Sequence, residues 1–187
     1  LIPFDSSKQM DERITDRTIG ELIHAAYAMG EVKTGALIVV EQNIILQEYE
    51  KTGIAMDSLI SSQLLINIFE HNTPLHDGAV IVRNNRIVSA TCYLPLSDNL
   101  ELNKSLGTRH RAGVGISEVS DSMTIVVSEE TGKVSLAVEG ELYRNIDEEF
   151  LKKKLSEGHL KDVENGKLID WKRRLQNVKK AKEPSDK

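Results

Sequence analysis

Apolar residues recur every three or four positions from Ile14 to Met29, and this spacing predicts an amphipathic helix that ends at Gly30. The run from Gly35 to Val40 is short, β-branched and apolar throughout, which predicts a strand covered on both faces. A further strand is expected within residues 44–49. The first part of the chain is therefore expected to place a helix before two strands.

The next amphipathic pattern predicts a helix over residues 58–69, with Asp57 or Ser58 as its N-cap. Asn84 and Asn85 separate two apolar runs, and their amides tolerate the positive φ angles of a tight hairpin turn. The remaining patterns predict strands over 79–83, 86–92, 123–128, 133–138 and 141–144, and helices from about residue 108 and over 147–157.

This order places hairpins between helices, which is typical of a mixed sheet and not of a regular doubly wound parallel sheet. We expect an α/β protein of the mixed α+β type, with a central mixed, largely antiparallel sheet flanked by helices on both faces. Residues 1–13 are expected to be an N-terminal lead-in and residues 14–157 a single globular domain. Residues 158–187 are expected to form a charged, partly disordered tail.

Charge divides the chain into an acidic body and a basic tail. Residues 151–187 carry 12 Lys/Arg and 6 Asp/Glu, whereas residues 1–150 carry 12 and 23, within a net charge of −5. Trp171 is the only aromatic residue of the tail, so the pattern does not favour base stacking, and no nucleic-acid partner is expected. No apolar run approaches the roughly 20 residues that span a bilayer.

The entrance of the predicted hairpin carries two titratable side chains. His76, Asp77 and Gly78 come directly before the apolar strand that begins at Ala79. A carboxylate at a strand end can bind a divalent ion or accept a proton. The same residues are also typical of an ordinary β-turn, and the residue types alone leave both interpretations open.

Two arginines bracket a histidine in "TRHR", residues 108–111, where a helix is expected to begin. With Thr108 as N-cap, the first-turn amides would be available to an anion. Cations at a helix N-terminus oppose the macrodipole by roughly 0.3 to 1 kcal/mol each, so a negative group is expected nearby. That group could be a phosphate, or an acidic side chain of the body such as Glu118 or Asp121.

A third polar cluster, "SEETG", follows the apolar strand that ends near residue 128. Its hydroxyl and two carboxylates could serve phosphate and metal, or they could form a plain hairpin turn. The chain contains neither G-x-x-x-x-G-K-[ST] nor G-x-G-x-x-G. Any nucleotide chemistry must therefore use a different phosphate cradle.

Taken together, "LHDGAVIV" at 75–82, "GTRHRAGVGISEVSDS" at 107–122 and "TIVVSEETGKVS" at 124–135 resemble the diadenylate cyclase family, which is defined by DGA and RHR motifs. The neighbouring "LLINIF" and "TCYLPLS" are most similar to its membrane-anchored members from Gram-positive bacteria. The resemblance covers about residues 14–145. It implies condensation of two ATP into cyclic di-AMP and two pyrophosphates, with Mn²⁺, Mg²⁺ or Co²⁺ as cofactor.

The resemblance also implies roles for individual residues. Asp77 would activate the ribose 3′-hydroxyl and Arg109 would neutralise developing charge, so these two are the candidate catalytic residues. The candidate metal ligands are His76, Asp77 and Glu130. The candidate ATP-binding residues are Gly78, Ala79, Tyr93, Leu94, Thr108, Arg109, His110, Arg111 and Ser128.

Ring closure of a cyclic dinucleotide requires two hydroxyl attacks, but the chain has one DGA and one RHR. We therefore expect a homodimer with two active sites face to face. A chain that begins at Leu1 is expected to be a soluble fragment whose missing N-terminal region anchors it to the cytoplasmic face of the bacterial membrane. Regulatory protein partners are compatible with this picture. The alternative function is a module that binds or senses ATP or a cyclic nucleotide without turnover.

Overall fold

The computed structural model describes residues 14–99, 102 and 106–158. The helices are α1 (Asp16–Glu31), α2 (Gln47–Glu50), α3 (Ser62–Phe69), α4 (Thr108–Val119) and α5 over residues 148–158. The strands are β1 (Ala36–Val40), β2 (Ile54–Leu59), β3 (Ala79–Arg83), β4 (Arg86–Cys92), β5 (Met123–Val127), β6 (Val134–Val138) and β7 (Glu141–Tyr143).

The seven strands form one sheet in the order β2-β4-β3-β1-β5-β6-β7. β1 and β3 are parallel, and the other neighbouring strands pair antiparallel. The predicted mixed, largely antiparallel sheet is therefore confirmed. Because β1 and β3 start at the same end of the sheet and β4 and β5 finish there, the loops at this end lie next to one another. We call it the site end.

Helices cover both faces of the sheet, as the burial of β1 requires. All five residues of β1 are buried. Ile38 and Val40 belong to the larger apolar core, which also contains residues of α1, α3 and α5. Leu37 and Val39 belong to a smaller core that includes Ala112 and Ile116 of α4. This alternation is the pattern expected for a strand between two helical layers.

Local turn and cap chemistry explains several element boundaries. The Thr15 hydroxyl accepts a hydrogen bond from the Thr18 N–H and caps α1, which ends at Glu31, one residue beyond the predicted Gly30. The hairpin between β3 and β4 turns at Asn84, whose φ of 55° lies in the left-handed region that asparagine tolerates.

The predicted strand within residues 44–49 is wrong. This segment runs into the short helix α2, and Ile44 and Ile45 are 49% and 67% exposed. Apolar composition alone therefore misidentified a surface loop. The strand that follows, β2, was not predicted, because it lies at the edge of the sheet and none of its six residues is buried.

The start of the second predicted helix is also wrong. Ser58 lies in β2 and Asp57 lies at an irregularity of that strand, with a φ of 45°. α3 begins at Ser62, and the Ser61 hydroxyl caps it by accepting a hydrogen bond from the Leu64 N–H.

The predicted lead-in, residues 1–13, and nearly all of the predicted tail lie outside the described residues. Among the residues described, no helix is both long enough and apolar enough to cross a membrane.

Candidate functional site

The sheet topology brings the first and third polar clusters of the sequence to the same end of the molecule. β3 follows the DGA segment, and its neighbour β1 starts at the same end. β1 in turn pairs with β5, so that Ala36 lies opposite Val127. β1 therefore separates the DGA entrance from the end of β5, a distance of two strand spacings, or roughly 10 Å.

Gly78 gives the DGA entrance its shape. Its φ is +83°, and a Cβ at this position would lie 2.8 Å from the carbonyl carbon of Thr91 in β4. Glycine is thus required both by the backbone conformation and by the close approach of β4. Asp77 is exposed, and its Oδ1 accepts a hydrogen bond from the Gly78 N–H at 3.0 Å. Asp77 Oδ2 forms no hydrogen bond with a described residue, so this oxygen is available to bind a metal ion or accept a proton.

The His76 ring is held in one tautomer by its neighbour. Nδ1 lies 2.6 Å from the carbonyl oxygen of Thr73, which can only accept, so Nδ1 carries the proton and Nε2 carries the lone pair. A histidine that donates one ring N–H to a carbonyl and offers the other nitrogen is typical of metal ligands.

The RHR segment forms the first turn of α4, but Thr108 is not its N-cap. Gly107 occupies the N-cap position and offers no side chain, while Thr108 is the first helical residue. The first amides of α4 therefore have no side-chain cap, and this is the condition under which a helix N-terminus binds an anion.

Arg109 pairs with a carboxylate other than Glu118 and Asp121, which the sequence offered as two examples of an acidic partner. Its Nη1 donates to Glu129 Oε2 at 2.7 Å. Glu118 instead accepts a hydrogen bond from the Ser97 hydroxyl, and Asp121 accepts from the backbone of Asn43 and Ile44. The contact with Glu129 joins the second and third clusters of the sequence.

Gly35, at the start of β1, is a site residue that the sequence interpretation missed. A Cβ on Gly35 would lie 2.7 Å from Arg109 Nη1 and 3.1 Å from the Glu129 Cβ. The absence of a side chain therefore lets the Arg109 guanidinium lie across the end of β1. The glycine before "ALIVV" was visible in the sequence, but its distant partner in the RHR motif was not.

His110 is buried beside a cavity that the first turn of α4 forms with the turn between β5 and β6. It is only 9% exposed, and no hydrogen bond from its ring to another described residue is formed. Burial lowers the pKa of His110 below its usual value, and the charge of Arg144 lowers it further; Glu130 opposes the shift and Arg109 adds to it. A neutral imidazole with open hydrogen-bonding positions therefore faces the cavity at neutral pH.

The cavity has a volume of about 380 Å³. Its walls are the first turn of α4, the turn between β5 and β6 and the residues that follow β7. Of the predicted site residues, those brought together here are Thr108, Arg109, His110, Ser128 and Glu130. Lys133 and Arg144 also line the cavity, and nothing in their sequence context singled them out.

The other predicted residues lie outside the lining of this cavity. Ala79 is buried in the smaller core, and Leu94 packs against the same core at the exit of β4. Tyr93 is 73% exposed, with its N–H bonded to the Thr52 hydroxyl. Arg111 accepts a hydrogen bond from the Ser97 N–H through its carbonyl oxygen. All but Arg111 belong to the strand ends at the site end.

The donor set for a divalent ion is divided between two strands. His76 and Asp77 precede β3, whereas Glu130 follows β5. Within the described ranges no three His, Cys, Asp or Glu side chains cluster closely enough to hold an ion by themselves. This arrangement still suits Mg²⁺ or Mn²⁺, because such ions commonly use one or two protein ligands and complete their shell with phosphate oxygens and water.

A protein-family profile described as "DisA bacterial checkpoint controller nucleotide-binding" (DAC) matches residues 23–142. The chain is 48% identical over 168 residues to the cyclic di-AMP synthase CdaA of Bacillus subtilis (strain 168). The aligned region covers 90% of this chain and 62% of that protein. The chain is 55% identical over 142 residues to the diadenylate cyclase of Listeria monocytogenes serotype 1/2a (strain 10403S), covering 76% of this chain and 52% of that protein. The chain thus spans less than two thirds of these relatives.

Solved structures agree with the sequence comparisons. The crystal structure of a double mutant of DacA from Staphylococcus aureus superposes with a TM-score of 0.74 at 48% identity. The match covers 82% of this chain and 98% of the other. A hypothetical membrane spanning protein from Bacillus cereus superposes with a TM-score of 0.67 at 46% identity, covering 68% and 63% of the two chains. The chain therefore belongs to the DisA bacterial checkpoint controller nucleotide-binding (DAC) family.

Proposed function

We propose that this protein is a diadenylate cyclase that condenses two ATP molecules into cyclic di-AMP and two pyrophosphates. One observation carries the proposal: the DGA entrance precedes β3, and Arg109 of the RHR turn lies against Gly35 at the start of the neighbouring strand β1. A carboxylate that can accept a proton is thereby set near a cavity suited to phosphates. The names of the Bacillus and Listeria relatives support the same activity.

The bonding changes in each half-reaction are few. The 3′-hydroxyl of one ATP loses its proton to Asp77 and forms an O–P bond with the α-phosphate of the other ATP. The bond from that α-phosphorus to the bridging oxygen breaks, and pyrophosphate leaves. In-line positioning and neutralisation of developing negative charge supply most of the acceleration, while a general base contributes typically 10²- to 10⁴-fold.

The residues of the cavity divide this work. The uncapped amides of α4 and the Ser128 hydroxyl bind phosphate oxygens, and Arg109 neutralises the charge that develops on them. Its pairing with Glu129 holds the guanidinium in place before substrate binds. His110, neutral at physiological pH, donates a hydrogen bond without adding charge. Tyr93 and Leu94, which follow β4, would contact the adenine.

A divalent cation, Mn²⁺, Mg²⁺ or Co²⁺, would be held by His76, Asp77 and Glu130 together with phosphate oxygens. When bound, it would supply Lewis-acid stabilisation of the phosphates and a lower pKa of the attacking hydroxyl. His76 Nε2 is oriented for this role by the Thr73 carbonyl, and Asp77 Oδ1 by the Gly78 N–H.

Two chains are needed for a complete reaction cycle. One chain offers one DGA and one RHR, whereas ring closure needs two attacks. A twofold dimer with facing sites lets each ATP present its hydroxyl to the α-phosphate of the other. If the dimer is weak, specific activity falls on dilution; a specific activity that stays constant far below the dimer dissociation constant would contradict this part of the proposal.

Product analysis tests the proposal directly. The protein is incubated with ATP and Mn²⁺, Mg²⁺ or Co²⁺ in turn, and the nucleotides are separated by chromatography. One cyclic di-AMP is expected for every two pyrophosphates. Asparagine is similar in size to aspartate and position 77 is exposed, so Asp77→Asn should fold normally and bind ATP but form no product. Absence of cyclic di-AMP with every metal would refute the proposal.

The alternative is a module that binds ATP or a cyclic nucleotide without turnover. The uncapped start of α4 and the ring of His110, which has no partner among the described residues, would serve such a sensor equally well. Bound ATP with no product from the wild-type protein would favour it. We also propose that the whole protein acts at the cytoplasmic face of the bacterial membrane, in line with the membrane spanning relative from Bacillus cereus.

A further inference from the structure

Arg144 joins the cavity from a part of the chain that no motif covers. It follows β7, whose Tyr143 lies opposite Leu136 of β6, so the strand delivers Arg144 to the site end. There Arg144 lines the same cavity as Thr108, His110 and Ser128. The sheet thus places a second arginine beside the RHR turn.

The charged side chains that line the cavity differ in whether they have an ion-pair partner. Arg109 is neutralised by Glu129 at 2.7 Å. Arg144 and Lys133 are exposed, and in the part of the chain that the structure describes neither side chain forms an ion pair or hydrogen bond. Glu130 is the remaining carboxylate of the lining. Two cationic side chains, Arg144 and Lys133, therefore line the cavity with one carboxylate, Glu130, that forms no ion pair with a described residue.

His110 and Arg144 line the same cavity, and the charge of Arg144 acts on the buried ring of His110. Among the neighbouring charges, Arg144 is the largest cause of the lowered pKa of His110, ahead of Arg109. His110 is 9% exposed, lines the cavity and has no hydrogen-bond partner among the described residues. Positive charge from Arg144 and from the amides at the start of α4, opposed by Glu130, therefore acts on a polar ring that has no hydrogen-bond partner among the described residues. A bound anion would compensate this positive charge and accept a hydrogen bond from the His110 ring.

We infer that Arg144 is a further substrate-binding residue of this site and that its guanidinium binds the β- and γ-phosphates of ATP, which leave as pyrophosphate. The inference rests on the proposed function. Sheet order gives the direction of the triphosphate, because β7 lies four strands away from β3 and its Asp77. In the proposed reaction the attacked α-phosphate meets the hydroxyl that Asp77 activates, which puts the α-phosphate on the Asp77 side of the site and the terminal phosphates on the Arg144 side. A planar guanidinium matches two phosphate oxygens at once.

Calorimetric titration of ATP, AMP and inorganic pyrophosphate separates this role from a general electrostatic one. The proteins are wild type, Arg144→Ala, Arg144→Lys and Arg17→Ala, the last an exposed arginine of α1 as matched control. We expect Arg144→Ala to weaken ATP and pyrophosphate binding roughly tenfold and to change AMP binding less than about twofold. Arg144→Lys should recover part of the loss, and Arg17→Ala should behave as wild type. Thermal unfolding verifies that all variants fold.

The outcomes for the inference and for the proposed function can be told apart. Unchanged ATP and pyrophosphate affinity in Arg144→Ala, or an equal loss for ATP and AMP, overturns the inference even if the wild type makes cyclic di-AMP. Conversely, binding that depends on Arg144 in a protein that makes no cyclic di-AMP refutes the cyclase and leaves the phosphate contact intact. A wild-type protein that binds neither ATP nor pyrophosphate overturns both.

Discussion

Replacing Gly35 by alanine tests whether the start of β1 exists to accommodate Arg109. The added Cβ would lie 2.7 Å from Arg109 Nη1 and 2.9 Å from its Cζ, well inside van der Waals contact. Both atoms belong to the far end of a flexible side chain, and no backbone atom is among the three nearest neighbours. The guanidinium should therefore move away while the strand stays in place.

The size of the effect follows from what Arg109 loses. Displacement breaks the 2.7 Å contact with Glu129 and moves the charge away from the phosphates it is proposed to bind. A hydrogen bond to a charged group contributes about 1.5–3 kcal/mol, so ATP affinity or kcat/KM should fall about 10- to 150-fold. Unfolding free energy should change by less than about 1 kcal/mol, because alanine also restricts the unfolded chain.

Chemical denaturation and cyclase kinetics measure the two quantities on the same protein. Gly20→Ala is the matched control, since a Cβ at Gly20 has no neighbour within 4 Å; it should keep full activity and gain about 0.5–1 kcal/mol in this helix interior. The double variant Gly35→Ala/Arg109→Ala should be no worse than Arg109→Ala alone. Wild-type activity in Gly35→Ala, or additive losses in the double variant, would refute the reasoning.

Three further predictions concern stability. Thr124→Val should raise the unfolding free energy by about 1 kcal/mol in urea, because the fully buried Thr124 hydroxyl has no partner among the described residues; a decrease would contradict this. Gly30→Ala should lower the melting temperature, because its Cβ would collide with the Gly132 carbonyl oxygen and push away the turn that carries Ser128; a temperature equal to that of Gly20→Ala would contradict it. Because the native pKa of His110 lies below 6.5, stability should fall as pH drops from about 6.5, and His110→Gln should remove that part of the fall in pH-dependent urea titrations.

The elements that the sequence predicted well are those in which local chemistry and burial agree. β1 has five buried residues and no polar interruption, so its composition alone identified a strand between two layers. The hairpin at Asn84 was predicted because the turn needs a positive φ that few residues tolerate. In both places the residues that determine the structure lie within the element itself or next to it in the chain.

The elements that were missed depend on the distant chain. Ile45 is apolar but 67% exposed, so the composition around it indicated a strand that does not form. The edge strand β2 has no buried residue to create a pattern, so it was missed. In the site, Gly35 matters because it lies against Arg109 of the RHR turn, and Arg144 matters because it lines the same cavity as that turn. Sequence spacing cannot reveal such a contact, because it arises from the pairing order of the strands.

The same pairing order limits what one chain can do. Asp77 lies at the start of β3 and outside the cavity formed by α4 and the end of β5, with β1 between them. An exposed carboxylate in this position is open to a ligand that approaches from outside the chain, and Gly78 keeps that approach free of a side chain. The turn and the proposed active site are therefore compatible uses of the same residues, since the turn exposes Asp77. For the proposed reaction, this geometry favours a second chain as the source of the facing ATP.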